Sequence, residues 1–178
     1  GNAVPGDVLI TTGVPTSSGS SAQSATTHVK VSALGTTHFW GGTAALGNDE
    51  GVGDVVTFGV EDASNSPLAA GRLVYLDTDG KWQYTDADAV ATGGTQLLGI
   101  ALGGAVSDGI LIRGFFKTNS YVEGTWNEGL PAYVSEAVSE VDFTAPSASG
   151  DFVRVVGYAT DTSGVIYFAP SATNIVIA

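Results

Sequence analysis

Apolar residues in this chain come in short bursts divided by glycine and small polar residues. Val56, Phe58 and Val60 alternate with Thr57 and Gly59, the period of a half-buried strand. Val29, Val31 and Ala33 alternate with Lys30 and Ser32 in the same way. The runs Leu73–Leu76, Leu97–Leu102, Ile110–Phe116, Ala132–Val134, Phe152–Ala159, Val165–Ala169 and Ile175–Ile177 are short and rich in β-branched or aromatic residues, so each is read as a strand. No segment keeps a helical period over three turns. The best helical candidate is one turn near Asp86–Ala91, with Thr85 or Asp86 as N-cap. Turn residues recur between the runs, the punctuation of an all-β protein.

The runs repeat. Gly71-Arg72-Leu73-Val74-Tyr75 matches Gly129-Leu130-Pro131-Ala132-Tyr133, 58 positions on. Leu97-Leu98-Gly99-Ile100-Ala101 matches Val155-Val156-Gly157-Tyr158-Ala159 at the same offset. Asp108-Gly109-Ile110-Leu111-Ile112 matches Ser163-Gly164-Val165-Ile166-Tyr167 at an offset of 55. The expected architecture is small antiparallel β barrels or a sandwich built from two related units, preceded by an extended arm. The expected divisions are an arm over 1–28, a first β unit over 29–116 and a second over 117–178. Whether the two units form one domain or two is open at this stage.

The arm differs in composition. Ten of the 17 residues from 11 to 27 are Ser or Thr, which bury little apolar surface. The stretch reads either as a linker or as an extended arm that orders on a partner subunit. Before it stands a strand-like piece, Val8-Leu9-Ile10, able to add to a sheet edge. Charge follows the same division. Residues 1–47 carry one acid, Asp7, and one base, Lys30, so the net charge of −12 lies wholly in the remainder. An excess of acid argues against nucleic acid as a partner. Cysteine is absent, which removes disulfides and thiol chemistry. No apolar run approaches the ~18 residues of a membrane helix. The first residues lack the basic and apolar regions of a secretion signal.

Candidate chemistry is sparse. There is no Gly-x-Ser-x-Gly elbow and no His-x-x-x-His spacing. His28 and His38 lie ten residues apart, a weak metal pattern. Asp77-x-Asp79-Gly80 resembles the opening of a calcium loop, but its twelfth position is Asp88 and not the bidentate Glu that such a loop needs. Asp79-Gly80 between two apolar runs is read instead as a hairpin turn. No catalytic residue, cofactor or metal ligand is therefore assigned. Trp40, Trp82 and Trp126 are the candidates for an aromatic platform that stacks on a glycan, Trp82 and Trp126 foremost.

The run Gly71-Arg-Leu-Val-Tyr-Leu-Asp-Thr-Asp-Gly-Lys-Trp82, followed by Leu98-Gly-Ile-Ala101, resembles bacteriophage capsid decoration (cement) proteins and head-fibre modules. Gly129-Leu-Pro-Ala-Tyr-Val-Ser135, Thr144–Asp151, Val153–Tyr158 and Val165–Pro170 are similar to the C-terminal β module of tailed-phage structural proteins. The similarity covers residues 65–178. It implies a non-enzymatic virion structural protein on the capsid exterior, a homo-oligomer such as a trimer, bound to the major capsid protein or other virion proteins. The expected shell contact is Val8, Leu9, Ile10, His38, Phe39 and Trp40. The alternatives are a glycan-binding fibre or spike module of a virion, and an extracellular filament or surface-layer subunit.

Overall fold

The computed structural model describes residues 46–178 and the strand segments 8–11, 27–31 and 37–39. The chain divides into two compact units, 1–42 and 43–178. In the first, β1 (Val8–Thr11), β2 (Thr27–Val31) and β3 (Thr37–Phe39) form an antiparallel sheet in that order. The expected arm boundary at residue 28 therefore falls inside β2. The strand read at Val29 pairs with β1 and β3 and not with the β unit to which it was assigned.

The second unit is all β. It comprises β4 (Gly51–Val56), β5 (Val60–Glu61), β6 (Leu73–Leu76), β7 (Lys81–Tyr84), β8 (Leu98–Ala101), β9 (Ile110–Lys117), β10 (Val122–Glu123), β11 (Pro131–Val134), β12 (Val141–Asp142), β13 (Phe152–Val153), β14 (Val155–Ala159), β15 (Val165–Phe168) and β16 (Ile175–Val176). One sheet runs β10-β12-β11-β14-β15-β9-β8-β6-β7-β5, with β4 also on β9, and β13 pairs β16 separately. Pairing is antiparallel except for β5 with β7 and β10 with β12. β5 and β10 end this strand order, and each is only two residues long. Such brevity limits edge-to-edge aggregation at those two ends.

The sheet order is a duplication. Leu73 pairs with Ile100 and Val74 with Gly99, while Pro131 pairs with Tyr158 and Ala132 with Gly157. The turns repeat as well: the Gly71 N–H bonds the Ala101 carbonyl as the Gly129 N–H bonds that of Ala159. The third match shifts by one residue. Ala101 pairs with Ile110, and Ala159 pairs with Ile166, so Leu111 corresponds to Tyr167, where the sequence match had set Ile112 against it. The repeat also extends further than the sequence match. Val55 and Val56 pair with Leu111 and Ile110 as Phe115 and Phe116 pair with Tyr167 and Ile166. The second half of β9 thus does for the second repeat what β4 does for the first. The expected cut at 116/117 falls at the end of a strand that both repeats share.

Each repeat has its own interior. In the first, Trp82, Val74, Leu68, Ala101, Val106 and Ile110 are buried, with Val56, Ile112 and Tyr84 packed against them. The corresponding residues of the second, Val141, Ala132, Ala159, Ile166, Phe116, Phe168 and Phe143, belong to one cluster with Leu73, Leu98, Ile100 and Leu111. The outer face of the first repeat is therefore buried against the second. Polar staples hold the seam. Buried Ser139 donates from its backbone to the Thr85 carbonyl and from its hydroxyl to that of Leu73. The Arg72 guanidinium lies 4.8 Å from the Tyr84 ring centre and 4.0 Å from that of Tyr121. Arg154, 4% exposed, donates to the carbonyls of Ser171, Gly93 and Gln96. Its pKa is lowered by burial, yet a guanidinium stays charged, so those carbonyls are its compensation for lost water.

Two local expectations are corrected. Val56, Phe58 and Val60 do not form one strand. Gly59 takes φ +81° between β4 and β5, and Phe58 stands half exposed. The helical turn lies at Val90–Thr92 and is a 3-10 turn that Thr85 and Asp86 do not cap. Thr85 is buried with its hydroxyl on the Leu73 carbonyl, and Asp86 accepts the Asp88 N–H.

Candidate functional site

The N-terminal sheet draws most of the expected contact residues together. Ile10 pairs with Val29 and Val29 with Phe39; Leu9 pairs with Lys30 and Lys30 with His38; Val8 pairs with Val31. Val8, Leu9 and Ile10 thus share a three-stranded register with His38 and Phe39, although about thirty residues separate them in sequence. Trp40 lies outside the described residues, and His28 is described only as a backbone position of β2.

The two tryptophans do not form a platform. Trp82 is fully buried in the first interior, and its indole N–H donates to the Phe58 carbonyl at 2.8 Å. Trp126 is partly buried against the second cluster, with its indole nitrogen covered. Stacking on a sugar needs an open ring face. The large apolar surface of Trp82 is drawn into the first interior instead.

The acidic hairpin is also spent on structure. Asp77 accepts the N–H groups of Asp79 and Lys81 and the Gln83 amide. Those bonds hold its carboxyl below the ordinary range, the Lys81 N–H first. Gly80 closes the turn at φ +76°. Among the described residues, no three His, Cys, Asp or Glu side chains group as a metal site.

One acid pair is chemically distinctive. Asp151 is 5% exposed, and its carboxyl pKa is raised, chiefly by burial and then by its hydrogen bond with Glu136. Glu136 is held below its ordinary value by the Ser147 N–H at 3.0 Å, and next by Asp151. The nearby charge of Asp88 further opposes ionisation of Asp151. The pair is therefore set to share one proton. Asp151, raised, stabilises the fold below the ordinary Asp range and loses that contribution as pH climbs through its raised value. Glu136, lowered, contributes above the ordinary Glu range and loses it as pH falls. Asp151→Asn keeps a donor for Glu136 and removes the ionisation. Urea midpoints between about pH 4 and pH 8 should show the variant gaining on the parent as pH rises; parallel curves would contradict the shared proton.

The feature that sequence reasoning missed lies on the outer face of the second repeat. A cross-strand row runs Val52–Phe115–Tyr167–Tyr158–Pro131 over five adjacent strands. Phe115 and Tyr167 are partly buried, with ring centres 5.4 Å apart, and Tyr158 is 50% exposed. The corresponding row of the first repeat is Val55–Leu111–Ile100–Leu73. Its last three members are fully buried under the second repeat. The duplication thus holds one row twice: once aliphatic and covered, once aromatic with Tyr158 half exposed. No protein-family model, curated protein or solved structure matches the chain.

Proposed function

We propose that this chain is a non-enzymatic structural protein of a virus particle, a capsid decoration (cement) protein that binds the major capsid protein on the outside of a phage head. The observation that carries this reading is the match between charge and architecture. The N-terminal unit, 1–42, holds one acid and one base and builds its own small sheet. The body, 43–178, carries the whole charge of −12 on a duplicated β framework. A neutral unit can be desolvated against a shell without burying unpaired charge. An acidic body turned to solvent keeps decorated particles apart. The sequence resemblance over 65–178 supports the same assignment.

The test is attachment. A clean truncation removes 1–42 and not 1–27, because a cut at 27 takes β1 away from β2. The expected outcome is a body with unchanged circular dichroism that no longer binds particles. Continued decoration would overturn the assignment of the N-terminal unit. Quantitative mass spectrometry of purified particles tests the location. A copy number comparable to that of the shell subunits supports decoration. A few copies per particle would move the protein to a fibre or spike, and absence would leave the extracellular filament or surface-layer subunit.

A further inference from the structure

We infer that the Glu136–Asp151 pair is a proton-operated latch on the last strand: β16 stays seated on β13 while the pair holds one proton, and comes away when both carboxyls are charged. The device lies within the body of the protein and does not depend on the virion reading.

β16 is held by little. It pairs with β13 alone, through Ile175 and Val176, which are 70% and 53% exposed. The pairing is extended only at Ile177, whose N–H donates to the Asp151 carbonyl at 2.8 Å and whose carbonyl accepts the Gly150 N–H at 2.9 Å. Upstream the chain is clamped at Ser171. Its N–H bonds the Val155 carbonyl, and its own carbonyl accepts from buried Arg154 at 2.8 Å. The segment beyond Ser171 is thus fixed at its root and seated on residues 150–153. Short pairing and sparse burial place such a segment at the low end of local stability.

Asp151 connects that seat to the carboxyl pair. Its backbone carries Ile177, while its carboxyl accepts the Ala148 N–H at 3.1 Å and shares a proton with Glu136. Glu136 in turn accepts the Ser147 N–H at 3.0 Å. Both carboxyls therefore grip the loop on which β16 rests. The charged groups facing Asp151 are Glu136, on the turn after β11, and Asp88, between β7 and β8. Both are acids. Arg154, three residues on, is committed to the carbonyls of Ser171, Gly93 and Gln96. A second charge on the pair thus meets like charge in a site with little water, since Asp151 is 5% exposed.

The relief has one direction. Phe152 is fully buried, and its N–H holds the Ala87 carbonyl at 2.9 Å. Gly150 on the other side has φ +99°, and nothing stands within 4 Å of where its Cβ would be. The backbone can turn there and carry Asp151 to water, which breaks both bonds to Ile177 and leaves Phe152 in place. Burial, then Glu136, raises the Asp151 carboxyl above its ordinary value, so the latch opens as pH climbs through that raised value. Below it the pair carries at most one charge, and nothing drives the segment outward.

The test is hydrogen exchange of the full chain, read amide by amide between about pH 5 and about pH 8, with the intrinsic rate at each pH divided out. The amides of Ser147, Ala148, Gly150 and Ile177 should lose protection together, about tenfold for each unit by which the pair's titration is displaced. The amides of Phe152 and Leu73 should keep theirs. Asp151→Asn, which still donates to Glu136 but cannot ionise, should hold all four protected across the range. If that variant does not fold, Glu136→Gln, which donates to a charged Asp151, should do the same. Protection of the four amides that is constant with pH in the parent overturns the inference. So does a loss shared by Phe152 and Leu73, which would be global unfolding, and so does a pH-dependent loss that persists in the folded variant.

Discussion

Gly114→Ala is expected to cost about 4 kcal/mol or more, most of the stability of a chain that lies near the lower end of the ordinary range of about 5–15 kcal/mol. Gly114 on β9 is opposite Gly53 on β4. Their φ values are +150° and +154°, a region that L side chains seldom adopt. A Cβ on Gly114 would collide with the Val52 carbonyl oxygen and sit 2.7 Å from the Gly53 Cα. Both obstacles are backbone, so no rotamer change relieves the clash, and the strands must separate. Gly80→Ala is the control. Gly80 also has positive φ, but a methyl group there would meet nothing within 4 Å. It should cost only the dihedral penalty, about 1 kcal/mol. Urea unfolding of the two variants measures the difference. Equal costs would mean that β4 and β9 do not approach as closely as described.

Trp82→Val is expected to cost about 3 kcal/mol, and Val56→Phe in the same chain should recover part of it. Trp82 fills the first interior, and the corresponding residue of the second repeat is Val141. The second interior tolerates valine there because bulk has moved elsewhere: Phe116 stands where the first repeat has Val56. The two repeats fill one shape with different pieces, and volume-conserving exchanges are the ones that cores accept. Copying one piece alone leaves a cavity. The Phe58 carbonyl loses its indole donor as well, but Phe58 is half exposed and water can replace the bond. The loss is therefore mainly one of packing. Thermal or urea midpoints of the single and double variants test this, and a double variant no better than Trp82→Val would mean that the two positions do not share one cavity.

Much of the fold was legible because strands here are short apolar runs with glycine between them. The Asp79-Gly80 hairpin followed from local residues alone, and the duplication from the matched runs. What escaped notice depends on contacts distant in sequence. The apolar run Ile110–Phe116 has no internal punctuation, so nothing marked the point where β9 passes from β8 to β15. Trp82 looked available because a hairpin strand can face water on one side, but here both faces of β6 and its neighbours are packed. The aromatic row was latent in the duplication itself: Tyr158 already stood against Ile100 in the sequence match. An exposed-type residue aligned with a core-type residue signals that the two copies differ in what covers them. The neutral and acidic halves of the chain were plain from charge, whereas the pairing of Val8–Ile10 with the Phe39 strand through β2 needed the register.

The sharing of β9 has a consequence for how this protein can be taken apart. In most tandem duplications a linker separates the copies, and either copy can be cut out, permuted or appended at the seam. Here the last strand of one copy and the first strand of the next are a single uninterrupted segment, Ile110–Lys117. Any scissile point between the copies exposes an edge that the other had covered. The stretch of sequence that repeats and the stretch that could be removed intact are therefore different objects, out of phase by half a strand. A third copy would have to grow from β15, and there Pro170 follows within two residues of the strand's end, lacking the N–H with which a continuing strand would pair. The eight-residue strand that joins the two copies has no counterpart at β15, which ends at Phe168.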